Sequence, residues 1–454
     1  MNRPPGPSKG ELIRSVPGLL RDPLGIFLDW KDRYGTVVSV PVRTPPTLHL
    51  SDPADLRHIL VSHPERYRKT GALIIGRRLI GKGLLASGEP LHSQQRRIAQ
   101  PHFTRQAVDQ FARMMITTTE EMLSQWQTGT VVDIFPQMAR LTIAIIGKAY
   151  FTNDFTAIAD QLYKDFGVCQ RYMQKLVYLP ESFPTPGNIR YRRAVARIDR
   201  VIRRLIRERQ AQERDRPDDL LTTLIEARDD AGNALSENQV RDEMVNILLA
   251  GHETTAIALS WTWYFLSLHP SVERTFHQEI SGVRLRGHED LGALGYTEMV
   301  LNESMRIRPP VWIIARVALE TDRLESGLVI PEGTEVLMLP YVVHRNAAWF
   351  PNPELFDPSR FAPNDRKRPP LLYFPFGAGP RGCIGEAFAR MEALIILTLI
   401  GGRFSLRLTP GQNIVPDPLV TLRPKRGILM TIEERPPIGN KQGAGKPAGV
   451  GVPG

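Results

Sequence analysis

The chain has 454 residues, of which 42% are hydrophobic and 23% are charged, a composition that excludes an intrinsically disordered protein. Its two cysteines are too few for a disulfide framework. Lys and Arg outnumber Asp and Glu by 58 to 48. This excess of positive charge has two interpretations: it attracts an acidic protein, nucleic acid or an anionic membrane, or it is a solvated surface without a partner.

No change of composition divides the interior, so the sequence predicts one large catalytic domain over residues 11–435. Residues 1–10 are rich in proline without an apolar core, which predicts a flexible N-terminus that is neither a signal peptide nor a transmembrane anchor. Residues 436–454 contain mostly Gly, Pro and Lys and are predicted to be disordered. We therefore expect a soluble protein in the cytoplasm.

Short elements are predicted near the N-terminal end. Alternating apolar residues over 36–42 and 47–50 predict two strands of a small sheet. Ser51, as an N-cap, and the proline two residues later predict a helix over 52–60. The apolar stretch 73–86 contains three glycines without the spacing of a phosphate loop, and is predicted to be a flexible lid over a pocket.

The next stretches are predicted to be mainly helical. His92 and Arg96 are four residues apart in the predicted helix 91–103, so they share a face and can reach the same anion, although alone they would indicate a solvated basic face. The charged segment 200–216 predicts a surface helix with one buried stripe. Its interleaved acidic residues and lack of aromatics argue against nucleic-acid binding.

A long helix is predicted over 236–268, starting with a capping box at Ser236 and Gln239 and reaching about 48 Å. Its middle, residues 250–255, reads A-G-H-E-T-T. The glycine, and threonine hydroxyls that can turn onto a preceding carbonyl, loosen the helix and predict room for a small ligand. The H-E pair begins a zinc-protease motif, but Ala256 stands where the second histidine would be, which excludes that class.

Two further patterns precede the last helix. Glu303 and Arg306 are one helical turn apart, which brings opposite charges together, although such pairs are common by chance. Another arginine, Arg360, lies further along the sequence, before Cys383. Residues 334–339 and 423–432 are predicted to be strands.

Cys383 lies between a glycine-rich turn and a run of helix formers over 384–392. Backbone N–H groups in such a turn and the positive end of the helix would both favour a thiolate. That thiolate could be a nucleophile, a metal ligand or half of a disulfide. Zinc needs several Cys or His at short spacing, which the sequence lacks. A disulfide to Cys169, predicted to be a packing residue, would be uncommon in a cytosolic protein; a nucleophilic role stays open.

The stretch F-G-A-G-P-R-G-C-I-G, residues 376–385, resembles the F-x-x-G-x-R-x-C-x-G signature of the cytochrome P450 family at every fixed position. The resemblance implies a mainly α fold with small β-sheets, in which haem b lies between a long central helix and a Cys-containing loop plus helix. It makes Cys383 the iron ligand and Phe376, Arg381 and Gly385 residues that bind the haem.

The resemblance extends in the family's order over nearly the whole chain. The stretch A-G-x-E-T-T matches the oxygen-binding helix, where Glu253 and Thr254 would relay protons and Ala250 and Gly251 would lie against the haem. Basic residues at the positions of propionate ligands are His92, Arg96 and Arg316. Residues at the positions of a buried structural ion network are Glu303, Arg306 and Arg360.

By this resemblance the protein is a haem-thiolate monooxygenase, of a bacterial type similar to eukaryotic-like and fatty-acid-hydroxylating members. It would insert one atom of O2 into a hydrophobic substrate by hydroxylation or epoxidation. Because too few residues follow Cys383 for a reductase, a separate ferredoxin or flavodoxin is expected to bring electrons from NAD(P)H through its own reductase, and to meet basic residues at 366–368 and Arg390. A peroxide-using peroxygenase and a haem-based sensor without turnover stay open.

The residues at the family's pocket positions share an apolar character. They are Leu73, Ile74, Ile75, Leu79, Ile80, Leu248, Val311, Ile313 and Leu419. A hydrophobic substrate such as a fatty acid, terpenoid or steroid follows. The stretch L-V-T-L-R-P-K, residues 419–425, is similar to that of fatty-acid-hydroxylating relatives and favours a lipid.

Overall fold

A computed structural model describes residues 4–70, 76–173, 181–363 and 368–435. The stretch 436–454, predicted to be disordered, lies outside the described residues. The helices are α1 (Lys9–Arg21), α2 (Pro23–Tyr34), α3 (Pro53–Arg57), α4 (Arg77–Ile80), α5 (Leu91–Ala99), α6 (Arg105–Asp109), α7 (Ala112–Leu123), α8 (Ile134–Phe151), α9 (Ala159–Tyr172), α10 (Pro186–Ala211), α11 (Leu220–Glu226), α12 (Glu237–Leu268), α13 (Pro270–Ser281), α14 (Gly295–Ile307), α15 (Pro340–Val343) and α16 (Glu386–Arg403).

Strands are short and form small sheets beside the helices. They are β1 (Val37–Val40), β2 (Thr47–Leu50), β3 (Tyr67–Lys69), β4 (Val131–Asp133), β5 (Ile314–Ala318), β6 (Asp322–Arg323), β7 (Val329–Ile330), β8 (Glu335–Met338), β9 (Phe404–Leu408), β10 (Pro416–Pro418), β11 (Leu422–Pro424) and β12 (Leu429–Glu434). The mainly α fold with small β-sheets predicted from the sequence is confirmed.

The largest sheet has five strands in the order β1-β2-β8-β5-β3, with β2 and β8 parallel and the other pairs antiparallel. A three-stranded sheet has the order β4-β12-β9, and β6–β7 and β10–β11 are isolated pairs. The predicted strands at 36–42 and 47–50 are β1 and β2, which pair with Val37 opposite Leu50. Apolar side chains of this sheet form a core of their own, separate from the large helical core.

Helix α12 crosses the large core, as the sequence predicts for 236–268. The Ser236 hydroxyl accepts a hydrogen bond from the Gln239 N–H at 3.3 Å, and the Gln239 side chain accepts one from the Ser236 N–H at 2.9 Å, so the predicted capping box is present. The helix is continuous from Glu237 to Leu268 and mostly buried. Its Thr254 hydroxyl donates to the Ala250 carbonyl at 2.8 Å, as predicted.

Helices α8 and α12 pack closely together because α12 has a glycine at the crossing. A Cβ on Gly251 would lie 2.7 Å from Ile146 Cδ1, closer than side chains tolerate. Nearby, the buried Thr142 hydroxyl donates to the His252 carbonyl at 2.9 Å. The glycine that is unfavourable for helix formation therefore leaves space for the Ile146 side chain of α8 against α12.

Several element boundaries differ from the prediction, two of them most clearly. The strand predicted over 423–432 is wrong: β11 and β12 are separate strands, because Gly427 turns the chain with φ +74° and its Cα lies against the Asp133 carboxylate. The helix predicted over 52–60 is shorter, since α3 ends at Arg57 and a π-type turn follows. Its N-cap is Asp52 rather than Ser51, with the carboxylate accepting from the Ala54 N–H at 2.9 Å.

The predicted lid at 73–86 is only partly described. Residues 71–75 lie outside the described residues, and the rest contains the short helix α4 followed by a loop. This loop is held to α12 through backbone groups: the Leu84 N–H donates to Glu243 at 3.1 Å and the Leu85 N–H donates to Asn246 at 3.0 Å. Side chains of α12 therefore fix this part of the pocket wall.

We predict that Thr142→Val lowers the free energy of unfolding by about 1 kcal/mol, since it removes the hydrogen bond between α8 and α12 with little change of volume. Thr262→Val is the matched control, because Thr262 is equally buried on α12 but bonds only to Ala258 of its own helix. Thermal melts of both variants test this. Equal midpoints for the two variants would contradict the role given to the interhelical bond.

Candidate active site

The loop before Cys383 is fixed by close backbone contacts. Gly379 has φ +68°, and a side chain there would overlap the Leu60 carbonyl oxygen. The Cys383 N–H donates to the Phe376 carbonyl at 2.8 Å. Gly385 is the N-cap of α16, so the helix begins just after the cysteine, as predicted. Glycine is therefore required by backbone geometry at position 379.

Cys383 is exposed and lines a cavity of about 370 Å³ together with residues of α12. Burial raises the pKa of this thiol above its ordinary value, whereas the Gly385 N–H and Arg96 act to lower it. The predicted backbone effect is present but does not outweigh burial. Coordination of a metal cation would favour the thiolate in this setting. The other cysteine, Cys169, is fully buried, and burial raises its pKa to about 12, in line with a packing role.

Basic side chains gather at one edge of the cavity. They are Lys69, His92, Arg96, Arg316 and Arg381. Glu89 is the carboxylate that approaches this group among the described residues, bonding to His92 at 3.0 Å and Arg381 at 3.2 Å. The cavity edge therefore carries more positive than negative charge.

Repulsion and burial act on this basic edge. Burial and the Arg381 charge lower the pKa of Arg316 to about 10, and burial with Arg381 and Arg316 lowers that of Lys69 to about 7. Lys69 and Arg316 are directly opposite on β3 and β5, a like-charge pair that destabilises a sheet. An anionic group in the cavity would relieve both effects.

Lys69 was not identified from the sequence. It stands alone in Y-R-K-T, with no motif around it. Its place in the site follows from the pairing of β3 with β5, which puts it opposite Arg316. Strand register between segments almost 250 residues apart is the only signal that could have found it.

Arg96 and Arg381 also hold the cysteine loop. Arg96 Nη1 donates to the Gly382 carbonyl at 2.8 Å, and Arg381 Nη1 donates to the Ser87 carbonyl at 2.8 Å. Phe376 lines the cavity beside the cysteine, and the Arg390 guanidinium lies 4.9 Å from its ring centre. These contacts tie the loop to α5 and to the loop before it.

The opposite wall of the cavity belongs to α12. Ala250, Gly251 and Thr254 line it, as predicted. Glu253 does not line the cavity, because its position on the helix turns its side chain towards α9. There its carboxylate accepts a hydrogen bond from the buried Gln170 side chain. Burial raises the pKa of Glu253 to about 7, opposed by Arg423. The structure thus brings Thr254 to the cavity and holds Glu253 behind it.

The apolar lining differs from the predicted one. Among the described residues at the predicted positions, Val311 lines the cavity, whereas Leu79, Ile80, Leu248, Ile313 and Leu419 do not; Leu73, Ile74 and Ile75 lie outside the described residues. One step along α12 turns a side chain by about 100°, so Ile247 faces the cavity and Leu248 faces the core. Other apolar residues of the lining are Leu60, Leu84, Leu85, Ile146, Leu301, Met305 and Ile314.

The three predicted network residues come together outside the cavity. Arg306 and Glu303 are fully buried and joined by two hydrogen bonds of 2.7 and 2.9 Å, and Arg360 lies 3.4 Å from Glu303. Arg306 also donates to the His344 carbonyl at 3.1 Å, and the His344 ring accepts from the Phe374 N–H at 3.1 Å. The network therefore reaches the segment that leads into the cysteine loop.

A single thiol, a basic edge and apolar walls fit haem b, which needs a thiolate for iron and cations for two propionates. A sequence model of the family described as Cytochrome P450 matches residues 4–431. The chain belongs to the cytochrome P450 family. Membership implies haem and the use of O2, and makes the protein a cytochrome P450 monooxygenase.

Among characterised relatives of this P450, cyclooctatin synthase of Streptomyces melanosporofaciens is 33% identical over 89% of this chain and 90% of its own length. Cyclooctat-9-en-7-ol 5-monooxygenase of the same organism is 33% identical over 90% of both chains. Pentalenene oxygenase of Streptomyces avermitilis is 28% identical over 92% of this chain and 94% of its own.

Solved structures of cytochrome P450s have the same fold as this chain. The heme domain of cytochrome P450DA has a TM-score of 0.85 at 25% identity, covering 96% of this P450 and 97% of that chain. Cyanobacterial CYP120A1 with retinoic acid bound has a TM-score of 0.80 at 26% identity, and the match covers 89% of this P450 and 93% of that chain. Within the described residues of this P450, each helix is too short or too polar to span a bilayer.

Glu303→Gln is predicted to destabilise the fold by about 3 kcal/mol or more, because the fully buried Arg306 and the partly buried Arg360 lose their neutralising charge. Glu354→Gln is the matched control: Glu354 also pairs with a buried arginine, Arg345, but its own side chain is 65% exposed. The yield of folded protein and its melting temperature measure the difference. A melting temperature for Glu303→Gln as high as that of the control would show that the network is dispensable.

Proposed function

We propose that this P450 oxidises a neutral, hydrophobic terpenoid by hydroxylation or epoxidation, with electrons from a separate ferredoxin or flavodoxin. The observation that carries the proposal is the cavity, where the Cys383 thiol faces a wall of α12 and aliphatic side chains line the space between. The P450 relatives named for cyclooctatin and pentalenene oxidation support the substrate class. The cytoplasmic location stays a prediction.

The cofactor contacts follow from the same geometry. Cys383 would ligate the iron, and the basic edge would bind the propionates: Lys69, His92, Arg96, Arg316 and Arg381. Burial lowers the pKa of His92 to about 4, so this residue would act as a neutral hydrogen-bond donor. When bound, the haem would supply oxygen activation, with the Cys383 thiolate as its ligand from the protein. Phe376 and Gly385 would pack against the ring and the sulfur.

Thr254 and Glu253 would handle protons. The Thr254 hydroxyl is at the cavity wall, where it can pass a proton inwards. With a pKa of about 7, Glu253 can hold and release a proton near neutral pH. Its bond to Gln170 means that the side chain must turn away from α9 to reach Thr254. Gln170 would therefore control when the proton is released.

The described cavity walls favour a neutral substrate over a fatty acid. Apart from the basic edge, the lining includes the Asn246 side chain, whose hydrogen-bonding groups already have partners. It donates to the Ile80 carbonyl at 2.7 Å and accepts from the Leu85 N–H at 3.0 Å. No cation of the described lining lies outside the basic edge except Arg390, which is paired with Glu386. A fatty-acid carboxylate would thus be desolvated without a partner.

The decisive experiment is a binding and turnover screen of the haem-loaded chain against cyclic terpene hydrocarbons and straight-chain fatty acids. We expect terpenes to displace the iron-bound water, seen as a spectral shift, and to yield products heavier by one oxygen with NADPH and a surrogate ferredoxin system. Cys383→Ser is expected to lose the red-shifted carbonyl spectrum of the reduced protein. Binding of fatty acids alone would refute the substrate class, and turnover with peroxide alone would indicate a peroxygenase.

The electron donor is expected to dock near the cysteine. Of the basic residues predicted for this role, 366–367 lie outside the described residues, Arg368 stacks on Phe361 and Arg390 pairs with Glu386. Arg105 and Arg113, on the helices that follow α5, are exposed without an ion pair among the described residues. Helices α6 and α7, which carry these two arginines, both contact α16, the helix that begins just after Cys383, and this supports docking of an acidic donor here.

We predict that Arg105→Glu/Arg113→Glu slows reduction by an acidic ferredoxin at least about tenfold at low ionic strength, because charge steering governs association. Arg14→Glu, on the exposed face of α1, is the control for the same change of charge. Stopped-flow reduction across a salt series measures the rates. Identical salt dependence in the double variant and the wild type would exclude this docking face.

A further inference from the structure

A second cavity, of about 630 Å³, has no role in the mechanism above. It lies between α4, the loop after α4, helix α10 and the start of α12. Among the described residues, it has no lining residue in common with the cavity that contains Cys383. It is therefore a separate site, which the monooxygenase chemistry does not explain.

The lining of this second cavity is mostly charged. Five cationic side chains face two carboxylates: Arg77, Arg78, Lys82, Arg203 and Arg241 against Asp199 and Asp242. Leu91 is the one hydrophobic side chain of the described lining. A hydrophobic substrate would find little apolar surface here, whereas a small anion would find an excess of positive charge.

Both carboxylates of the lining are bonded to the same arginine. Arg241 Nε donates to Asp199 at 2.7 Å, and Arg241 Nη1 donates to Asp242 at 2.8 Å. The Arg241 side chain is only 4% exposed, so its charge needs these partners. The two carboxylates therefore neutralise a buried cation and leave the other basic side chains of the cavity to find partners elsewhere.

Two of those basic side chains have no such partner. Arg78 and Arg203 each form an ion pair of 2.7 Å with a partly exposed carboxylate at the rim. Arg77 and Lys82 form no ion pair among the described residues. They lie on either side of Gly81, where the chain turns with φ +56°. One turn of the chain thus brings two unpaired cations to the same cavity.

The start of α12 forms another wall, through Ser236, Asn238 and Gln239. The N-terminal end of a helix carries partial positive charge, and its first N–H groups have no acceptor within the helix. Arg203 Nη2 donates to Asn238 Oδ1 at 2.6 Å, which holds the guanidinium beside these N–H groups. The cavity therefore offers an anion both charge and hydrogen-bond donors.

We propose that this second cavity binds a diphosphate anion, and that the bound anion holds α4 and the loop after it against α12. Guanidinium and ammonium groups with free donors match the oxygens of phosphate groups. A single phosphate would fill only part of a cavity of about 630 Å³, whereas a diphosphate reaches from the α4 side to the start of α12. The site would regulate the enzyme rather than take part in oxidation.

The regulatory effect follows from what the cavity residues hold together. Arg241 Nη1 also donates to the Leu79 carbonyl at 2.6 Å, and the Lys82 N–H donates to Asp242 at 2.8 Å. Two residues further on, Leu84 lines the cavity that contains Cys383. An anion that bridges α4 to the start of α12 adds contacts across the same junction. It would therefore stabilise the wall of the substrate cavity, and substrate would in turn favour the anion.

Calorimetric titration of the haem-loaded full chain with inorganic pyrophosphate tests the site. Arg77→Ser/Lys82→Ser is expected to weaken binding about tenfold or more, because two cations that face the anion are lost. Lys9→Ser/Arg14→Ser on α1 is the matched control, since both residues are exposed and the change of charge is the same. An equal loss in the control would show a diffuse charge effect and overturn the site. Inorganic phosphate or sulfate that binds as tightly at equal ionic strength would overturn the ligand class.

A second variant separates anion binding from folding. Asn238→Asp keeps the oxygen that accepts from Arg203, and an acidic residue suits the first turn of a helix, so the melting temperature should not fall. The new carboxylate would repel the anion, and we expect pyrophosphate to bind about tenfold more weakly. Wild-type affinity in a folded Asn238→Asp protein would overturn the proposed location.

Hydrogen exchange tests the effect on the wall. The N–H groups of Lys82, Leu84 and Leu85 donate to side chains of α12, so pyrophosphate should slow their exchange in the wild type but not in Asn238→Asp. Unchanged exchange in the wild type would overturn the proposed effect on the wall.

A terpene that binds the wild type gives the functional readout. Its affinity, measured from the spectral shift, is expected to rise about fivefold with saturating pyrophosphate. An unchanged affinity would overturn the coupling between the two cavities. This last measurement rests on the proposed function: if no terpene binds, that function fails, while calorimetry and hydrogen exchange still decide the anion site.

Discussion

The position of one sulfur atom depends on a backbone-to-backbone contact. Gly379 packs against the Leu60 carbonyl so closely that no side chain fits, and the turn that contains Leu60 follows α3 directly. From the other side, the buried Glu303–Arg306 pair holds the segment leading to Phe374 through His344. Cys383 is therefore located by the parts of the fold on either side of its loop.

This arrangement explains where a buried ion network is useful. Two buried charges recover little net stability from their mutual attraction, since each has lost its hydration. The network instead gives directional bonds to carbonyl groups at His344 and Leu355, which apolar packing cannot provide. It determines the path of a chain segment that has little regular secondary structure.

Sequence patterns predicted the parts of the site that depend on local structure. The capping box, the A-G-H-E-T-T stretch and the cysteine turn act within a few residues, so their geometry could be inferred correctly. The patterns failed where side-chain direction depends on distant packing. Leu248 was placed in the pocket instead of Ile247, and Lys69 was missed. Helical phase and strand register decide these positions, and both are set by tertiary contacts.

If haem binds at the basic edge as proposed, the pairing of Lys69 with Arg316 would couple cofactor loading to the folding of the sheet. Strand β3 is at the edge of its sheet, where β5 is its neighbour among the described strands, and the pair of like charges weakens that pairing. A bound dianion would turn this repulsion into attraction on both strands at once. By mass action, the free energy of haem binding thus becomes free energy of closing the sheet, so the edge strand would be the first element to detach when the cofactor leaves.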